Sequence, residues 1–362
     1  MGTTTRQSGN QVIIKLVESK LVPTAPKAVA WSPDNKLIAT AGDTLAVLVW
    51  DADRLSVLHE LNQGERGGGR DHIAFSKDGR YLASGLSTIN LWETGTWNLQ
   101  RKLIPPHVTP GILQAIGIRS IAFSPDNSLL VVAYQGAKWI VVAFRVEDGG
   151  VAWRHVPKRS FGKPDDDTGA LITAPLAFAP DGKVLVFGAA DRGFTSDGDP
   201  ARSSRLVILD ARSGALVRSI DRIHVDSPTA LAISHDGTRV ATGTATGVVD
   251  QTGNIKTNRT VTIHNKDPIR VWDISTGKLV SELPVTSRVW ALVFTHDGNR
   301  LISSRSDIQT HRTLNVWDTR SGAMLQELDA WPVALGLAMS PRGERIAAAG
   351  SGALSVYEIV GR

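Results

Sequence analysis

Nine histidines and no cysteine bound the chemistry open to this 362-residue chain. Without Cys there is no disulfide, no thiolate nucleophile and no cysteine-ligated zinc. His235 and His296 each sit in a His-Asp-Gly tripeptide, which is turn chemistry rather than the setting of a general base. Neither a Gly-x-Ser-x-Gly elbow nor a His-Glu-x-x-His pair occurs. The run GERGGGRDH, residues 64 to 72, has the glycines of a phosphate cradle but lacks the Lys-Ser/Thr ending and the helix start that would aim amides at an anion. It reads as a connection. KPDDDTGA from 163 and TSDGDP from 195 carry carboxylates without the alternating ligands and distal Glu of a calcium loop. No cofactor and no metal site is assigned.

The elements that hold these residues repeat. An apolar run ending in a polar turn occurs seven times: AVAWSPDNKLIAT from 28, IAFSKDGRYLASG from 73, IAFSPDNSLLVVA from 121, LAFAPDGKVLVFG from 176, LAISHDGTRVATG from 230, LVFTHDGNRLISS from 292 and LAMSPRGERIAAA from 337. Period-two alternation around a turn rich in Pro, Asp, Asn and Gly predicts a β-hairpin in each. A second phrase follows every copy, as in IRVWDISTGKLVSEL and LNVWDTRSGAMLQEL, and reads as two more strands around a tight turn. The last, LSVYEIV, stops after one strand. QVIIKLVE, residues 11 to 18, has the alternation needed to supply the missing one, and closing a ring that way removes open sheet edges.

Trp50-Asp51, Trp92-Glu93, Trp272-Asp273 and Trp317-Asp318 end third strands, and on these dipeptides the chain resembles the WD-repeat β-propeller family over residues 11 to 360. Copies three, four and seven depart there, with Phe144-Arg145, Leu209-Asp210 and Tyr357-Glu358. The predicted fold is all-β: a seven-bladed β-propeller of four-stranded antiparallel blades, its ring closed by an N-terminal strand completing the last blade. One domain, 11–362, follows a disordered tail, 1–10. The family also places a His before a blade's first strand, hydrogen-bonded to a strand Ser or Thr and to the Trp. Only copy five matches, and the resemblance implies a structural network of His224, Thr242 and Trp272, with Asp250 or Asp267 able to join it. Elsewhere rigidity is expected to rest on apolar packing.

Extra length is one-sided. The turns between first and second and between third and fourth strands are uniformly short, so the bottom face is plain. From Ile233 to Trp272 the chain spends 39 positions where copy two, from Phe75 to Trp92, spends 17. The stretch 247–268 is the longest top-face insertion, and its VTIHN and DQTGN predict a projecting β-hairpin. Over the enlarged loops, sixteen Lys or Arg stand against eleven Asp or Glu, a mixed pattern that suits a protein interface more than nucleic acid. LIPPHVTPGILQAIGI from 103 is apolar for a connection and either caps the ring or meets a partner.

The partner-binding residues expected on this face are Lys27, Arg70, Asp71, Arg119, Arg288, Trp290, Trp331, Lys256 and Arg259. Trp290 and Arg288 are of the types enriched at binding hot spots, and Trp290 could equally pack between blades. Lys27, Asp71, Arg119, Ala174, Thr229 and Leu335 hold positions equivalent to Trp290. The function expected is a non-catalytic protein-interaction scaffold or recognition module. A nucleic-acid or polyanion binder is the alternative, and a propeller hydrolase with a central metal the second. The first ten residues lack the apolar core of a secretory signal, and no eighteen-residue apolar run occurs, so the chain reads as cytoplasmic, without membrane insertion. Its net charge of +5 permits an acidic partner without requiring one.

Overall fold

Turn chemistry sets the strand order. Each first hairpin reverses on a Ser-Pro-Asp-Asn type turn whose fourth residue takes a left-handed φ, 64° at Asn35 and 62° at Asn127, where five other copies have Gly. Asn is among the few residues other than Gly that enter this region readily. The Asp before it locks the turn. Asp126 accepts from the Ser124 hydroxyl and from the Ser128 amide at 3.0 Å, and these bonds, the hydroxyl foremost, hold its carboxyl below the usual range.

The computed structural model describes residues 5–7, 13–22, 25–42, 46–62, 64, 72–105, 117–135, 139–158, 171–172, 175–194, 200–224, 227–244, 267–285, 287–306, 312–330, 333–350 and 352–360. They form seven antiparallel sheets, one per repeat, as the copy number predicts. Blade one is Pro26–Trp31, Leu37–Gly42, Ala46–Asp51 and Val57–Asn62, and blade five is Pro228–Ile233, Arg239–Thr244, Ile269–Asp273 and Leu279–Leu283. The first strand of each blade is innermost and approaches the first strands of both neighbours, blade seven meeting blade one. No helix occurs among the described residues, so none is long and apolar enough to cross a membrane.

The core lies between blades. Seven clusters of buried side chains each draw on two adjacent sheets: Val131, Ala133 and Trp153 of blade three meet Leu185, Phe187 and Leu209 of blade four, for example. Second and third strands are therefore covered on both faces, which is why LIATAG and AVLVWD are nearly continuous small or apolar runs. Outermost strands such as Val57–Asn62 are largely exposed. Hydrogen bonds reinforce the joints: the Trp31 indole donates to the Ala338 carbonyl across the boundary of blades seven and one, and Trp153 donates to Ala211 across three and four.

Ile14–Leu21 pairs antiparallel with Ala353–Ile359 as the outermost strand of blade seven, register Ile14↔Ile359 to Leu21↔Ala353. A buried side chain of blade six holds this strand: Gln326 Oε1 accepts from the amides of Ile13 and Ile14, and Gln326 Nε2 donates to the Ile14 carbonyl at 3.0 Å. Residues 5–7, inside the stretch read as a tail, form a strand on the outer edge of blade six, Thr5 opposite Leu328.

Blade four carries the largest described elaboration. Its second and third strands, Val184–Phe194 and Pro200–Asp210, run eleven residues each and stay paired to Phe194↔Pro200, so the insertion extends the blade as a β-hairpin on the top face. The hairpin expected within 247–268 falls almost wholly outside the described residues, as do KPDDDTGA, most of GERGGGRDH and most of the apolar stretch from 103.

Candidate upper-rim site and the blade-five network

At their upper ends the innermost strands of blades one, three, five and six share an irregularity. Pairing with the second strand skips one residue between Pro26 and Ala28, Ile118 and Ser120, Pro228 and Ala230, and Val289 and Ala291. The skipped residues are Lys27, Arg119, Thr229 and Trp290. A bulge leaves its extra residue out of the ladder and re-aims the side chain. Four blades thus set a side chain at one level around the upper mouth.

Arg119 is exposed, with its guanidinium carbon 5.5 Å from the Trp139 ring centre, while Lys27 is half-buried. Trp290 is half-buried and donates its indole N–H to Ser306 Oγ at 2.6 Å, so part of its ring packs within blade six and part reaches the surface. Thr229 donates to the Val289 carbonyl of the next blade. Arg288, two residues before Trp290 on the same strand, has a buried Nε with no hydrogen-bond partner among the described residues. Leu335 lacks the bulge, and its amide donates to Ala349. Arg70, Asp71, Ala174, Lys256, Arg259 and Trp331 lie outside the described residues.

Blade five holds a buried polar network. His224 Nε2 lies 2.8 Å from Thr242 Oγ1, which also accepts the Trp272 indole N–H at 3.2 Å. His224 Nδ1 lies 3.1 Å from Asp267 Oδ2, with both side chains buried. Arg270 continues the chain, donating to Asp267 Oδ1 and to the Ile223 carbonyl at 2.7 Å each and pairing through Nε with Glu282. Asp250 lies outside the described residues. Arg270 was missed in the sequence, although it left a signal: the other third strands carry Leu48, Asn90, Val142, Val207, Asn315 and Ser355 at the equivalent place, none of them charged, and a charge there needs a buried partner. Blades one, two and six do not rely on apolar packing alone. Their Trp50, Trp92 and Trp317 indoles donate to Thr40, Ser84 and Ser303 at 2.9 to 3.0 Å.

Among the described residues, no group of three or more potential metal-ligating side chains converges. The family description "WD domain, G-beta repeat" matches residues 23–51 and 277–318. The second match begins in the turn before the outermost strand of blade five and ends on the third strand of blade six, so the sequence unit straddles two sheets. Seven such blades close into one ring. The chain belongs to the WD-repeat β-propellers.

Similarity to curated proteins is local. This WD-repeat propeller is 34% identical over 109 residues to "Protein HIR1" of Mycosarcoma maydis, a stretch that is 29% of this chain and 10% of that protein. It is 30% identical over 109 residues to "Protein HIR1" of Cryptococcus neoformans var. neoformans serotype D, covering 29% of this chain and 12% of that protein. The alignments thus span about a tenth of these relatives. The propeller architecture fits a protein-interaction scaffold.

Proposed function

We propose that this propeller is a non-catalytic recognition module that captures a protein segment across its upper rim. The observation that carries the reading is the bulge repeated at Lys27, Arg119, Thr229 and Trp290. A bulge interrupts the ladder, and its recurrence on four blades at one level suits side chains held out for contact. The described charges of the rim are Lys27, Arg119 and Arg288, all cationic, and the buried Arg288 Nε has no acceptor among the described residues. A carboxylate on the partner would supply one, so the favoured partner is a peptide segment combining acidic residues with an apolar anchor against Trp290.

The test is affinity capture from the native host with mass spectrometry, followed by calorimetry with the identified segment. Trp290→Ala and Arg288→Gln should each weaken binding by about tenfold or more, as hot-spot truncations do. Wild-type affinity in both variants would remove the rim from the mechanism. The same cations favour the polyanion reading, and salt separates the two. A peptide using two or three charges gives a shallow dependence, whereas a nucleic acid neutralised at six or more phosphates loses about a thousandfold between 50 and 200 mM salt.

A further inference from the structure

The bottom face, plain in sequence, holds a cluster that the upper-rim reading does not use. The residue after the hydroxyl of each first hairpin turn is Pro33, Lys77, Pro125, Pro180, His235, His296 and Pro341, taking the blades in order, with Ala179 in place of the hydroxyl in blade four. Neighbouring turns interlock around the lower mouth of the channel. Pro33, Pro125, Pro180 and His296 each pack against the turn glycine of the next blade, and Asn127 and Asn35 accept amides from the turns beside them. Four of the seven positions are rigid apolar walls, and the other three are basic.

Two of the three stack, and the third is carried on the blade across the ring. His235 and His296, on adjacent blades, stack with ring centres 3.6 Å apart and planes 32° from parallel. Blade two stands across the ring from the boundary of blades five and six, with two blades between on either side. Lys77 projects from there, and its charge acts on His235. Among the described residues, neither imidazole nor the ammonium makes a hydrogen bond or an ion pair. Lys77, His235 and His296 are all exposed side chains, and desolvation by the surrounding turns pushes the Lys77 ammonium below the usual lysine range. Desolvation, the neighbouring His296 and Lys77 push the His235 imidazole down in turn, against an opposing pull from Asp236.

We propose that Lys77, His235 and His296 form a seat for one small oxyanion, a phosphate or carboxylate group, at the lower mouth of the channel. An ammonium and two imidazoles, each with N–H groups able to donate, favour an oxyanion between them, and its negative charge relieves the mutual depression of their basicity. The surrounding carboxylates set the selectivity. Asp34, Asp78, Asp126, Asp236 and Asp297 each have Oδ1 bound by the Ser or Thr of their own turn, and Asp181 pairs with Lys183; Arg342 takes this place in blade seven. This acidic rim repels an extended polyanion and leaves room for a single anionic group delivered to the centre.

Inorganic phosphate, acetate and chloride at matched ionic strength are the probes, and proton NMR of the His235 ring in the intact chain is the readout, assigned with His235→Asn. Phosphate or acetate should raise the His235 titration midpoint above its value in chloride, with the larger rise identifying the preferred oxyanion. Lys77→Gln, at an exposed turn position, should weaken that effect about tenfold, the worth of one charge-assisted contact. A midpoint equal in all three salts overturns the seat, as does an undiminished oxyanion effect in folded Lys77→Gln. Neither result bears on peptide capture at the opposite face.

Discussion

Thr242 shows how much one hydroxyl can carry. It joins His224 to Trp272 in a buried setting, so Thr242→Val keeps the volume and strands two polar groups. Urea denaturation should show a loss of about 1–3 kcal/mol, the cost of unsatisfied buried partners; a change below about 0.5 kcal/mol would mean the network is incidental. Gln326 is the corresponding residue at the ring's seam. Gln326→Ala leaves two amides and a carbonyl of the closing strand without their side-chain partner and should cost about 2–3 kcal/mol. Hydrogen exchange distinguishes a seam defect from general loosening: protection should fall first in Ile14–Leu21 and be retained in blades three and four. Thr242 was legible through the family's His-Trp pattern. Gln326 was not, because nothing local marks a glutamine whose partners lie more than three hundred positions away.

Elements divide into those dictated locally and those dictated by neighbours. The short hairpins followed from Asp, Asn and Gly at fixed offsets. The extended hairpin of blade four did not, since DRGFTSDGDPARSS shows no clean alternation and is carried outward by the strands that enter and leave it. In blade five the described chain resumes at Asp267, whose carboxylate is held by His224 and Arg270. Replacing 248–266 with a short turn should change stability by less than about 1 kcal/mol, because loop length enters closure entropy only logarithmically. Capture of the upper-rim partner should fall at least about tenfold. Calorimetry on the shortened chain decides it: undiminished affinity would take this insertion out of the interface.

For the whole ring, stability is a sum over joints between blades, and pH tunes it through groups spread around the circumference. His155, half-buried, and His235, exposed beside His296 and Lys77, are both pushed below the ordinary histidine value, by desolvation first of all. The unfolded chain therefore binds protons near pH 6.5 that the folded chain does not, and stability falls as pH drops through and below about 6.5. The turn carboxylates act lower. Asp210 is held down chiefly by the Ser213 hydroxyl and Asp318 by the Ser321 amide, so what they contribute is present above the unfolded aspartate pKa and lost as pH falls below about 4. Melting curves from pH 8 to 3 should decline in two stages, and a flat profile between pH 7 and 5 would contradict the histidine part.

The sequence by itself determined the number of blades, the order of strands, the closure strand and the side on which extra residues emerge. All of these depend on alternation and turn residues acting over a few positions, and the repeat multiplies that signal sevenfold. Tertiary structure alone decided which side chains meet. The repeat register already set Lys27, Arg119, Thr229 and Trp290 at equivalent positions, but only the structure shows that a bulge takes each of them out of its ladder. Lys77 faces His235 and His296 because closing seven blades brings blade two opposite the joint of blades five and six. In the sequence these are ordinary turn residues far apart; the ring's curvature makes them one site.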